Sequence, residues 1–151
     1  MRTPTEIKIR DMTFDDVQSV CEIENQTFYY ATWTQDFFQN CLKSNRHAKL
    51  VAELDKKILA YAILEILGSN VYLLKFVVAP NFRRKTLGKN FLDVVIKLAK
   101  QWNCLVIKLH VNTKNVPAIR LYEIFGFRVS ERLENFYKEV NENAFIMELK
   151  I

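Results

Sequence analysis

The stretch from Val71 to Gln101 constrains the chain most. An apolar, β-branched run ends at Val78, four basic residues fall within the seven positions Arg83 to Lys89, and an amphipathic segment begins near Thr86. A strand, a short loop and a helix in that order aim free backbone N–H groups and the positive end of the helix dipole at one point, which suits phosphate. Arg83, Arg84, Lys85 and Lys89 add donors and charge, and Gly88 lets the backbone approach a ligand without a Cβ. The segment lacks the Gly-Lys-Ser/Thr ending of a P-loop and the triple glycine of a dinucleotide fingerprint. The same residues also read as a solvated basic loop capping a helix, and the turn alone does not choose.

Around this unit, periodicity orders the rest. Ile7 and Ile9 alternate with Lys8 and Arg10 as a first strand, and Thr13 precedes a first helix carrying Val17, Val20, Cys21 and Ile23 at helical spacing. After the aromatic loop Phe28, Tyr29, Tyr30 and Trp33, Thr34 caps a second helix through about Ser44. Three strands follow as an antiparallel meander: Ala48 to Leu54, Ile58 to Leu67 and Val71 to Val78, with turns at Asp55-Lys56-Lys57 and Gly68-Ser69-Asn70. The long helix from Thr86 to Gln101 leads to a strand from Leu105 to Val111, apolar enough to be buried on both faces. A short helix spans Pro117 to Phe125, with proline near its start and Gly126 past its end, and the strands Phe127 to Phe136 and Ala144 to Leu149 complete the pattern. The order is β-α-α-β-β-β-α-β-α-β-β.

With 151 residues, one domain over 1–151 is expected, and half the residues being hydrophobic allows it a core. The excess of 22 basic over 17 acidic residues favours an anionic partner, and its clustering at Arg83 to Lys89 favours a discrete site. Nucleic-acid binding is not expected, because no aromatic residues interleave with that cluster. Cys21, Cys41 and Cys104 share no metal-ligand spacing with a histidine, so no metal site is expected and each reads as a small apolar residue. The absence of a signal-like or bilayer-length apolar run predicts a cytoplasmic protein without membrane contact.

The basic turn resembles the pyrophosphate-binding signature of the GNAT superfamily of N-acetyltransferases, Gln/Arg-x-x-Gly-x-Gly/Ala, with Arg83, Arg84, Lys85, Thr86, Leu87, Gly88 and Lys89 filling it. Thr86 stands where that family has its first glycine, so altered or weaker coenzyme binding is expected. A second block, Leu109-His110-Val111, Asn115, Ala118, Ile119, Leu121, Tyr122 and Gly126-Phe127, resembles that of protein N-terminal α-acetyltransferases and RimI-type ribosomal-protein acetyltransferases. The resemblance covers nearly the whole chain. It implies a mixed, mostly antiparallel seven-stranded sheet flanked by about four helices, an α/β (α+β) fold whose strands part where acetyl-CoA enters.

Acetyl transfer needs a neutral attacking amine, and an α-amine of pKa near 8 is mostly protonated at neutral pH. His110 can take that proton directly or through water; as a bland alternative it completes the strand. The resemblance assigns Tyr122 as the general acid for the coenzyme thiolate, Asn115 as a coenzyme contact, and Val77 and Val78 as backbone partners of the pantetheine arm. Asn115 also reads as a helix cap, and Tyr122 as a core-edge aromatic.

On the substrate side, Phe28, Tyr29 and Tyr30, with Phe136 and Tyr137, resemble two loops that clamp a peptide N-terminus, and Tyr72 faces the same tunnel. Ordinary aromatic packing explains the same residues without a function. Glu24 is a second-base or amine-anchor candidate, against the commoner fate of a solvated helix face. The implied reaction is acetylation of a protein or peptide N-terminus, a ribosomal protein among the candidates, by a monomer or weak dimer. Lysine side-chain or small-amine acetylation, and a non-catalytic coenzyme A-binding module, are the alternatives.

Overall fold

A computed structural model describes residues 6–83 and 86–151. Seven strands form one sheet in the order β1-β2-β3-β4-β5-β7-β6. The strands are β1 (Lys8–Asp11), β2 (His47–Leu54), β3 (Lys57–Leu67), β4 (Asn70–Val78), β5 (Val106–Asn112), β6 (Arg128–Tyr137) and β7 (Glu142–Lys150). The helices are α1 (Val17–Thr27), α2 (Gln35–Lys43), α3 (Leu87–Gln101) and α4 (Val116–Ile124). The expected element order holds throughout, and the α/β (α+β) class with it.

Local chemistry fixes the boundaries. Thr34 caps α2 by accepting a hydrogen bond from the Phe37 N–H. Asp55 and Lys56 both take left-handed backbone angles, φ 50° and 64°, closing β2 onto β3 in two residues. Ahead of α1, a single 3₁₀ turn at Phe14–Asp16 is tied down by Arg10, whose guanidinium grips both Asp16 carboxylate oxygens at 2.7 and 2.9 Å and reaches Glu53 at 3.0 Å. The Arg10 fork thereby joins the first strand, the turn and β2.

Each sheet face has its own core. On one, α3 lays Leu87, Phe91, Leu92, Val95 and Ala99 against Ala60, Ala62, Leu64, Val71 and Leu73. On the other, α1 and α2 cover Val51, Tyr61, Ile63 and Val77 with Val17, Val20, Ile23 and Phe38. β3 is buried on both faces for this reason. β5 is not, contrary to the sequence expectation: Ile107, Leu109 and Val111 point into the α3 core, while Lys108 and His110 stand on the opposite, more open face. A long apolar run marks burial without telling one face from two.

β4 and β5 are the sheet's parallel pair, and their ladder stops early. Asn70 to Leu73 pair with Val106 to Leu109 and the strands then part. The parting begins where β4 bulges: Leu73 pairs with Leu64 and Lys75 with Ile63, leaving Leu74 as the extra residue. A wedge-shaped opening results in the middle of the sheet.

Phe91, fully buried and in contact with Phe76 at a 5.3 Å ring separation, is central to the α3 core. Phe91→Ala is expected to destabilise the fold by about 3–5 kcal/mol, and Val129→Ala on the exposed edge strand by less than about 1 kcal/mol; urea unfolding of both variants checks the contrast.

Candidate active site

The wedge opens into a cleft of about 390 Å³ whose walls are the parted ends of β4 and β5, the start of α4, the α1–α2 loop and the end of β6. His110, Tyr122, Asn115, Tyr72, Phe28, Tyr30, Phe136 and Tyr137, which arise from these five separate stretches of chain, all line it.

Tyr122 is placed by the end of its own helix. Gly126, at φ 96°, turns the chain so that the Phe127 N–H bonds the Tyr122 carbonyl and the Gly126 N–H bonds that of Glu123. Phe127 is thereby driven into the core against the Tyr122 ring, 5.5 Å away, while Phe76 holds its other side at 6.3 Å. Burial pushes the phenol pKa well above its usual 10, so the hydroxyl keeps its proton and can serve as a donor. At the other end of α4, Asn115 caps the helix by accepting from the Ala118 N–H, so the capping reading holds for a residue that also lines the cleft.

His110 projects from β5 just beyond the last pair with β4, and its ring stacks on Phe136 with centroids 4.7 Å apart and planes within 3°. Desolvation lowers its pKa below 6.5, leaving it neutral and able to accept a proton at pH 7. Phe136 in turn touches Tyr137, and Tyr137 packs edge-on to Tyr30 at 4.8 Å. The two aromatic loops therefore meet over the cleft. Tyr29 is the exception among the proposed clamp residues: it lies 72% exposed outside the cleft lining and donates its hydroxyl hydrogen bond to Glu142 at 2.8 Å.

Two acidic residues depart from what the sequence suggested. Glu24 is fully buried rather than on a solvated helix face. Its carboxylate accepts from the Tyr61 hydroxyl, from Lys75 Nζ at 2.6 Å and from the Trp33 N–H at 2.8 Å. Lys75 also sits 4.2 Å from the Phe28 ring centre, so this group anchors the aromatic loop to β4. Glu142 was missed altogether. It accepts from Tyr29, from Asn112 Nδ2 at 2.9 Å and from Lys114 Nζ at 2.9 Å, and Asn112 donates a further bond to Tyr30 at 2.9 Å. One carboxylate thus ties the α1–α2 loop, the end of β5 and the β6–β7 hairpin together. Its donors all lie far from it in sequence, so no local pattern marks it.

At the basic turn, Thr86 takes right-handed helical angles, φ −68° and ψ −3°, and its side chain makes no capping bond to α3. Threonine fits this conformation without strain. Arg83 donates from Nε to the Val78 carbonyl at 3.1 Å, fixing the turn to the end of β4. A Cβ added to Gly88 would lie 3.6 Å from Leu121 Cδ2 and 3.9 Å from Val78 Cγ2, so the space it leaves lies between α3, α4 and β4. Val77 points into the α1–α2 core and Val78 to the other face, so both side chains are packing residues. Arg84 and Lys85 lie outside the described residues.

Among the described residues no cluster of metal-ligating side chains occurs, and no helix is long and apolar enough to cross a membrane.

The sequence model of the acetyltransferase (GNAT) family matches residues 15–127. A Bacillus subtilis (strain 168) protein, described as a candidate ribosomal protein bS18 alanine N-acetyltransferase, is 30% identical over 144 residues, 95% of each chain. The ribosomal protein bS18 alanine N-acetyltransferase of Salmonella typhimurium is 28% identical over 138 residues, 90% of this chain and 92% of its own. The crystal structure of the ribosomal-protein-S18-alanine N-acetyltransferase from Escherichia coli superposes with a TM-score of 0.89 at 25% identity, covering 97% of this chain and 94% of its own.

Hydrogen bonding to Lys114, Asn112 and Tyr29 holds the Glu142 pKa at about 2, below its ordinary 4.5. A depressed carboxylate pKa gives stability that is present above 4.5 and lost as pH falls toward 2. The wild-type melting temperature is therefore expected to fall more steeply across that interval than that of Glu142→Gln, as calorimetry of the two proteins will test.

Proposed function

The chain belongs to the acetyltransferase (GNAT) family, and we propose that it moves the acetyl group of acetyl-coenzyme A onto the α-amine of a protein N-terminus in a direct ternary complex. The observation that carries this reading is the convergence of a neutral histidine and a protonated tyrosine on a cleft opened by the parting of β4 and β5. Relatives that match this chain nearly end to end are named as ribosomal-protein alanine N-acetyltransferases, which supports a peptide acceptor.

The residues present fit the coenzyme. Beyond Leu73, β4 has no β5 neighbour, so the backbone groups on that edge, apart from the Val78 carbonyl held by Arg83, are available to a linear amide-bearing arm, as a sheet edge is. The N-terminus of α3, with Arg83 and Lys89 beside it, suits a pyrophosphate. When bound, the coenzyme supplies an activated thioester carbonyl. His110 accepts the proton of the incoming ammonium, directly or through water, and its stacking on Phe136 fixes the direction from which it acts. Tyr122, protonated because it is buried, delivers a proton to the departing sulfur. Phe28, Tyr30, Phe136 and Tyr137 enclose the acceptor and exclude water, with Tyr72 on the floor. We read the protein as a single domain, and its three free thiols fit a reducing cytoplasmic setting.

Incubation with acetyl-CoA and peptides differing in their first residue, with free lysine and a polyamine as controls, is expected to give products acetylated on the peptide α-amine by mass spectrometry. Coenzyme binding without any α-amine product would overturn the reading. His110→Ala and Tyr122→Phe should each lower kcat by roughly 10²- to 10⁴-fold with acetyl-CoA affinity nearly intact. In pH profiles, the limb due to His110 should lie below pH 6.5 and disappear in His110→Ala.

A further inference from the structure

On the face of the sheet that carries His110, the covering by α1 and α2 ends partway, and a row of polar residues crosses the exposed floor. Strand registers place His47 beside Glu65, Glu65 beside Tyr72, Tyr72 beside Lys108, and Lys108 beside Glu148. None of these five is buried, whereas Ile63, two residues before Glu65 on the same face, is sealed under α1 and α2.

The charges along the floor are unequally matched. Glu65 is the cleft's acidic residue among the described lining. Both cleft lysines already have carboxylate partners: Lys75 binds Glu24 at 2.6 Å, and Lys108 lies 3.6 Å from Glu148. The polar neighbour of Glu65 is His47, 3.5 Å away through Nε2. That imidazole is engaged by Ser44 Oγ at 2.6 Å, and burial lowers its pKa, so it is neutral at pH 7 and gives Glu65 no full counter-charge, while Lys49 and Arg46 lie further off beyond it. The Glu65 side chain keeps 23% of its surface, enough for a ligand to reach.

Position turns this into a specificity argument. Glu65 stands two strands across and two residue levels along from His110, roughly 12 Å between Cα atoms at ordinary strand spacing and rise. An extended peptide whose amine lies at His110 advances about 3.3–3.6 Å per residue, so the side chain of its second or third residue spans the remainder. Resting on the proposed peptide-acetylating function, we infer that Glu65 selects acceptors bearing Lys or Arg at the second or third position. Tyr72, between Glu65 and Lys108, supplies the flat surface along which the aliphatic stem lies.

The test is a set of ten-residue peptides sharing an N-terminal alanine and carrying Lys, Arg, Ala or Glu at position two or three, assayed at saturating acetyl-CoA. The wild type should show a KM roughly tenfold lower for a basic residue than for alanine at one of these positions, with kcat changed less than about twofold. That preference should shrink to within about twofold in Glu65→Gln, reverse toward Glu in Glu65→Lys, and weaken between 50 and 500 mM salt on the order expected from screening. Glu65→Gln is isosteric, and an unchanged melting curve separates recognition from folding. A flat wild-type panel, or a preference that survives Glu65→Gln, overturns the inference while leaving α-amine acetylation standing. Absence of α-amine product from every peptide overturns the underlying function instead.

Discussion

β4 cannot stay paired with β5 once Leu74 has been inserted as a bulge, and the site is built in the gap that follows. A regular ladder would place His110 beside a strand and cover the backbone edge of β4. Parting the strands exposes polar backbone that a globular core would otherwise have to satisfy, and that exposure is tolerable where a ligand or water can pair with it. The fold absorbs the break because β5 remains paired with β7 along its whole length and β4 with β3. The sheet is continuous on either side of the opening.

Two carboxylates then shape the opening. Glu24 and Glu142 sit on opposite sides of the α1–α2 loop, and each gathers three donors from distant segments. Buried charges are stable only when hydrogen-bonded on all sides, which makes such groups demanding about geometry and therefore good at fixing it. Glu24 holds the base of the loop to β4 through Lys75, and Glu142 holds its tip to β5 and the last hairpin. The aromatic residues between them are thus presented by a tethered frame, with Tyr30 against Tyr137 and Phe136 against His110.

Legibility in the sequence followed the range of the physics. Helix and strand boundaries depend on residues a few positions apart, so Thr34, Pro117, Gly126 and the turns beginning at Asp55 and Gly68 declared themselves locally, each to within a residue. His110 and Tyr122 were legible because their motif fixes them on a strand end and a helix next to an αL cap. Tyr29 was legible as an aromatic in the right loop, yet whether its ring would turn inward was decided by Glu142, far along the chain. The fate of Glu24 was equally remote: nothing within α1 says that Tyr61 and Lys75 will meet it there.

What the amino-acid order determined alone was the succession of seven strands and four helices, the apolar faces of the helices, the basic turn before α3 and the chemical types available for catalysis. These rest on backbone propensity, periodicity and caps, which act over a few residues. The tertiary structure decided which strand faces were open, that Leu74 would part the sheet, that Glu24 and Glu142 would be ionic anchors, and that Glu65 would stand on the cleft floor beside a neutral histidine. Each of those depends on strand register and on partners dozens of residues away, and a shift of one residue in register would have turned the same side chains to the opposite face.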